Sequence, residues 1–262
     1  MKKPKVVILC GGRGTRLREE TELKPKPLIE IGGKPILWHI MKIYSFHGYN
    51  EFVLCLGYKG ELIKEYFYNY QLHTNDCTIQ LGKNHTTTFH SQTDEEQWKV
   101  TLADTGIDTL KGSRIKQIEK YIEGDIFMVT YGDGVADIDI NKLITFHKKH
   151  KKIGTLTGVR PPSRFGDIVA KENKVISFSE KAQASGGLIN GGFFVFNRKI
   201  FDYVDCGENC DFEFGALEQL AQDGQLMVYD HPGTWECMDT YRETQHLNKL
   251  WNENKAFWKL WK

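Results

Sequence analysis

The chain has almost no excess charge of either sign: 35 Lys and Arg stand against 34 Asp and Glu, leaving +1. So weak a field gathers neither nucleic acid nor an anionic membrane surface, and neither is expected as a partner. Long apolar runs are missing as well. No stretch approaches the ~20 residues of a membrane helix, and Met1-Lys2-Lys3-Pro4 leads straight into the first strand without a signal-peptide core. A soluble, cytoplasmic protein is expected. Metal-ligand spacing is lacking too. The six cysteines, at 10, 55, 77, 206, 210 and 237, are scattered, and the close pair Cys206 and Cys210 has no second Cys or His pair to complete a zinc set. That pair reads as a loop with two reduced thiols. His85 and His90 fall in a polar surface excursion, 82–98, and read as solvated. Internal repeats and low-complexity linkers are absent, and 262 residues can bury a sizeable core.

What is present is an apolar run that stops at a cationic, glycine-rich turn: Val6-Val7-Ile8-Leu9-Cys10-Gly11-Gly12-Arg13-Gly14-Thr15-Arg16-Leu17, then Lys24-Pro25-Lys26-Pro27. Such a run reads as a buried parallel strand delivering its C-terminal end to a ligand. Glycines let backbone amides approach phosphate oxygens, and Arg13, Arg16, Lys24 and Lys26 add charge at the same place. The combination points to a polyphosphate. Two common phosphate loops are excluded by spacing. A Walker loop needs Lys-Ser/Thr after its last glycine, where Thr15-Arg16 stands; a dinucleotide fingerprint needs a third glycine where Leu17 stands.

Strand and helix patterns alternate from there. Ile36, Leu37, Ile40, Met41 and Tyr44 recur at helical spacing; Phe52–Leu56 reads as a buried strand, and Leu62, Ile63, Tyr66, Phe67 and Tyr70 outline a second helix. This rhythm predicts a doubly wound, mostly parallel sheet. Ser113 is placed as the cap of a helix through Ile115, Ile118 and Ile122, and Asp139 as the cap of a helix through Leu143 and Ile144. Ile126–Tyr131 followed by Gly132-Asp133-Gly134 is a second buried strand, bringing a carboxylate to the sheet edge where ligands of α/β proteins bind. Beside a triphosphate that carboxylate is useful only with a divalent cation between them. Beyond Ile153–Val159, Val169 and 175–180 read as strands of mixed burial, and Leu226–Tyr229 as an edge strand. Asp239 is open between capping the helix that begins at Thr240 and ligating a metal.

Gly11-Gly12-Arg13-Gly14-Thr15-Arg16-Leu17 with a Lys-Pro pair downstream resembles the signature of the sugar-1-phosphate nucleotidylyltransferases. The continuation from Lys24 to Lys42 resembles the branch that joins CTP to glucose 1-phosphate, and the likeness runs through nearly the whole chain. It implies a single α/β domain over 1–262: a Rossmann-like, mixed, mostly parallel sheet flanked by helices, with a small sugar-binding β portion. Residues 1–150 would serve mainly the nucleotide, 151–240 mainly the sugar phosphate, and 241–262 would form a C-terminal helix and aromatic tail. The resemblance implies nucleotide contacts from Leu9, Gly11, Gly12, Gly14, Thr15, Arg16, Lys26, Thr105, Arg114 and Gly132, with Thr105 and Arg114 beside the base. It implies sugar-phosphate contacts from Tyr131, Glu180, Lys181, Asn190 and Gly191. Arg16, Lys26 and Asp133 would be catalytic, and Mg2+ would lie on Asp133 and Asp239, the second within a motif beginning at His231-Pro-Gly-Thr-Trp235. One departure is Ala182, where the wider family commonly has proline after Glu-Lys; its loss loosens the loop on the sugar side. The substrates implied are a nucleoside triphosphate and a sugar 1-phosphate. Another nucleotide, another phosphorylated acceptor, or a non-catalytic nucleotide-binding regulatory subunit remain the alternatives. The tail residues Trp251, Phe257, Trp258 and Trp261 need covering, by the chain's own body or by another subunit, and a homo-oligomer is expected.

Overall fold

The computed structural model describes residues 3–83, 85–90, 97–161, 167–171, 174–179, 187–204, 207 and 209–261. Seven strands form the central sheet: β1 (Val6–Leu9), β2 (Glu51–Leu56), β3 (Lys99–Asp104), β4 (Ile126–Tyr131), β5 (Gly154–Val159), β6 (Ile189–Asn197) and β7 (Leu226–Asp230). Their spatial order is β7-β5-β6-β4-β1-β2-β3. β1 lies parallel to both β2 and β4, and β2 parallel to β3. β6 runs antiparallel to β4 and β5, which makes the sheet mixed. The strand that leads into the glycine-rich loop is therefore central, and its C-terminal end shares an edge with the ends of β2 and β4.

β1 shows why the chain folds this way. Val6 and Ile8 enter one apolar layer with helices α1 (Ile36–Phe46) and α2 (Gly60–Tyr68), while Val7 and Leu9 enter the layer on the opposite face. A strand buried on both faces needs unbroken apolar residues, as the sequence has here. Helix α3 (Lys111–Gln117) covers the second face; α4 (Ile140–His150) and α5 (Tyr241–Asn252) cover the first. Asp139 caps α4 as expected, its carboxylate accepting from Lys142 N at 3.0 Å. The strands at 167–171 and 174–179 form an antiparallel pair apart from the main sheet.

Two expectations are corrected. Ser113 lies inside α3, whose N-cap is Leu110, and its hydroxyl instead donates to Gly207 O at 2.6 Å and accepts from Cys210 N at 3.0 Å. Cys210 is disulfide-bonded and not a reduced thiol; Cys206 lies outside the described residues. The aromatic tail is covered by the chain itself. Trp258 is fully buried and donates through its indole N–H to His39 Nδ1 at 3.3 Å, while Trp251 packs edge-on against the same imidazole. Burial lowers the His39 pKa to about 4, so the ring is neutral, with Nε2 donating to Ile31 O at 2.8 Å. Among the described residues no helix is long and apolar enough to cross a membrane.

Candidate active site

The loop after β1 is built from behind by one buried cation. Arg114, on α3, is 4% exposed and donates to the carbonyls of Gly11, Leu56, Gly106 and Ile107 and to Thr105 Oγ1, at 2.7 to 3.2 Å. Burial lowers its pKa, with neighbouring ionisable groups pulling the other way. A Cβ at Gly11 would lie 2.2 Å from this guanidinium, so glycine is required there by close approach. Thr105, also buried, passes its own hydroxyl proton to Leu56 O at 2.7 Å. Both residues implied as base neighbours thus hold the loop, and the guanidinium's described bonds all go to the protein. Leu9 ends β1 and Gly11 is buried, whereas Gly12 and Thr15 are exposed. Gly14 turns the chain, its carbonyl accepting from Leu17 N at 2.9 Å and from Thr21 Oγ1 at 3.2 Å.

Across from the loop, Gly132 is buried behind Asp133 at the end of β4. A short ladder brings the second aspartate alongside: Trp235–Cys237 pairs antiparallel with Gly134–Ala136, and Met238 N donates to Asp133 O at 2.8 Å. Asp137 fixes the start of that ladder, accepting from His231 Nε2 at 2.9 Å and Thr234 N at 2.8 Å. Asp239 itself is not a cap. Thr240 caps α5 with Glu243 in a reciprocal capping box, and the Glu243 carboxylate also takes Asp239 N at 2.8 Å. The Asp239 side chain is thereby released toward the cleft.

Lys26 stands between the two carboxylates. Its Nζ lies 2.6 Å from Asp133 Oδ2 and 2.5 Å from Asp239 Oδ1, and Arg16 reaches Asp239 Oδ2 at 2.6 Å. Burial alone would lower the Lys26 pKa, but Asp133 and Asp239 outweigh it and the ammonium is held above its ordinary value. Burial alone would raise Asp239; Lys26 and Arg16 outweigh it, and the carboxyl sits below the usual range. At neutral pH Lys26 and Asp239 are therefore both charged. Among the described residues no group of three or more His, Cys, Asp or Glu forms a metal cage. The donor set suits Mg2+, which takes one or two carboxylates and completes its shell with water and phosphate oxygens. The Lys26 ammonium touches both aspartates, so their carboxylates face one another across it.

On the other side of β4, the Tyr131 hydroxyl donates to Glu213 Oε1 at 2.6 Å and accepts from Asn190 Nδ2 at 3.2 Å. Asn190 Oδ1 accepts from Gly192 N at 2.9 Å, and Gly191 O accepts from the Trp235 indole at 2.8 Å. Gly192, at φ +78°, leaves room for the Tyr131 ring, which a Cβ would meet at 2.6 Å. Lys111 pairs with Glu213 over the Tyr131 ring. Burial, then Glu213, raises the Tyr131 pKa, so the phenol stays protonated. Glu180 and Lys181 lie outside the described residues. Lys111, Glu213 and Asp137 were not singled out from the sequence as site residues; each sits in an unremarkable local context and acquires meaning only through partners far along the chain.

The nucleotidyl transferase family model matches residues 5–240. The chain is 51% identical over 258 residues to glucose-1-phosphate cytidylyltransferase of Salmonella typhimurium, covering 98% of this chain and 99% of that protein. A probable glucose-1-phosphate cytidylyltransferase of Bacillus subtilis is 48% identical over 257 residues, covering 98% and 100%. Among solved structures, UDP-glucose pyrophosphorylase complexed with UDP-glucose superposes with TM-score 0.67 at 14% identity, covering 97% of this chain and 100% of that one. A putative glucose-1-phosphate thymidylyltransferase of Bacillus anthracis gives 0.65 at 18% identity, covering 95% of each. These last two establish the fold alone. The family model spans most of the chain and the cytidylyltransferases match nearly all of it, so the chain, with a glycine-rich loop after a central strand and two aspartates gathered on one lysine, belongs to the nucleotidyl transferase family and is an enzyme of that family.

Proposed function

We propose that this chain transfers a cytidylyl group from CTP to α-D-glucose 1-phosphate, giving CDP-glucose and pyrophosphate. The carrying observation is Lys26 held between Asp133 and Asp239 beside the glycine-rich loop. The identity to the cytidylyltransferases supports the choice of substrates.

The attacking oxygen needs no general base, because a phosphate monoester with a second pKa of about 6 is already mostly dianionic at neutral pH. The protein must therefore bring two polyanions together and hold them in line. Gly11, Gly12 and Gly14 present a loop backbone to the β- and γ-phosphates, and Arg16, whose side chain is 74% exposed, is free to turn from Asp239 toward them. Lys26 neutralises charge at the α-phosphate and the incoming oxygen. Asp133 and Asp239 would hold Mg2+, which when bound supplies Lewis-acid stabilisation of the charge shared between acceptor and α-phosphate. Leu9 and Gly132 floor the cleft and Thr15 lines its rim. Thr105 and Arg114 set the loop against which the base lies. Tyr131, Asn190 and Gly191, with Glu180 and Lys181, form the acceptor side. Residues 1–150 serve mainly the nucleotide and 151–240 mainly the sugar phosphate. We further propose that the enzyme works in the cytoplasm as a homo-oligomer; the exposed apolar residues Tyr68, Leu72, Ile79 and Leu81 support self-association, which light scattering tests.

Each of CTP, UTP, dTTP and GTP is incubated with glucose 1-phosphate and Mg2+, and pyrophosphate and nucleotide sugar are followed. CTP is expected to give CDP-glucose fastest. Equal or faster turnover with another nucleotide would overturn the assignment.

A further inference from the structure

We infer that Glu213, oriented by Lys111, is a specificity-determining residue that accepts a hydrogen bond from a hydroxyl of the sugar 1-phosphate. This rests on the proposed reaction and extends it to a residue outside the motif positions. Four elements meet at this point: Tyr131 ends β4, Asn190 is the second residue of β6, Lys111 opens α3, and Glu213 lies on the π-helical turn Phe212–Leu217, the kind of irregular turn that recurs at functional sites.

Counting hydrogen-bond capacity separates the residues that are already committed from the one that is not. The Tyr131 hydroxyl spends its only proton on Glu213 Oε1 and accepts from Asn190. Asn190 spends its oxygen on Gly192 N and one amide proton on Tyr131. The two polar groups expected to read the sugar are thus largely consumed inside the protein. In Glu213, by contrast, the contacts from Tyr131 and Lys111 both fall on Oε1, and among the described residues Oε2 has no protein partner. The Glu213 side chain is 25% exposed, enough to be reached from the cleft while fixed from behind. A fixed carboxylate oxygen with an unused lone pair suits a sugar hydroxyl, and Lys111 holds the other oxygen in place. The Tyr131–Asn190 chain then acts as the strut that aims it.

The test is steady-state kinetics of Glu213→Gln with glucose 1-phosphate and with its C-2 and C-4 epimers, each at saturating CTP, plus the KM for CTP. Replacing the charged acceptor should raise the KM for glucose 1-phosphate roughly 10- to 100-fold. The KM for CTP should stay within about twofold, and the preference for glucose 1-phosphate over one epimer should shrink. Lys111→Ala should move the same parameters in the same direction by less. An unchanged acceptor KM and epimer preference in a folded Glu213→Gln protein would overturn the inference, as would an equal rise in both substrates' KM, the mark of a merely structural role. Failure of the wild-type enzyme to turn over any sugar 1-phosphate would instead defeat the proposed reaction.

Discussion

The two sides of the cleft, which we propose serve the nucleotide and the acceptor, share one sheet edge but are held by different means. Behind the glycine-rich loop, the buried Arg114 gathers backbone carbonyls from the ends of two loops and from the last residue of β2, and the loop's shape is set by main-chain atoms. On the acceptor side, Tyr131, Asn190, Glu213 and Lys111 are linked through their side-chain tips, partly in solvent. A phosphate chain is common to all nucleotides and suits a fixed backbone cradle. Sugars differ by single hydroxyl positions, and side-chain tips are what substitution can retune without disturbing the sheet.

Lys26→Ala should break both sides at once, because the ammonium belongs to neither. Turnover is expected to fall by at least roughly 10²–10³-fold, the range for removing one preorganised charge donor, with CD and the melting curve reporting the fold. Loss confined to one substrate's KM would refute the shared role. Arg114→Ala should be the largest structural loss, leaving buried carbonyls unsatisfied at a cost on the order of 3 kcal/mol. At about 2–4 °C per kcal/mol that lowers Tm by roughly 6–12 °C, and a Tm within a degree or two of wild type would remove the distinction drawn here.

Acid should reach the nucleotide side through its rear support. His39 lies under the hairpin that follows Lys26, and burial holds its folded pKa at about 4 against an ordinary 6.5. Between these values the unfolded chain binds a proton that the folded chain refuses, so stability falls as pH drops below 6.5 and this contribution is flat above it. From pH 7 to 5 the loss should be roughly 2 kcal/mol, read as a decline in Tm that is shallower in His39→Gln. Tyr131→Phe should be the mildest change. It removes the hydroxyl's two hydrogen bonds, to Glu213 and from Asn190, each worth about 1 kcal/mol, raising the acceptor KM several-fold and leaving the KM for CTP alone. A larger effect on CTP would erase the division of labour.

The same contrast explains what was legible in the sequence. Val6–Leu17 is a local signal: the apolar run, the glycines and the cations are contiguous, so both the buried strand and its phosphate loop can be read directly. Gly132-Asp133 is legible for the same reason. Asp239 was ambiguous because Thr240–Glu243 makes a capping box whether or not the preceding carboxylate has another task; only the ladder from Trp235 to Cys237 against Gly134–Ala136 decides where it points. Arg114 looked like a residue beside the base, and nothing local indicates that its charge is buried under Gly11. Glu213 and Lys111 are joined across a separation that no periodicity reports. The tail tryptophans announced a need for cover, but not that the neutral His39 would supply part of it.

The most direct test of the central claim is Mn2+ binding followed by EPR, in the presence of a non-hydrolysable CTP analogue, for the wild-type chain, Asp133→Asn and Asp239→Asn. One ion per chain is predicted in the wild type, with affinity markedly weakened by either substitution. Wild-type affinity in either variant would contradict a single cation shared by the two aspartates.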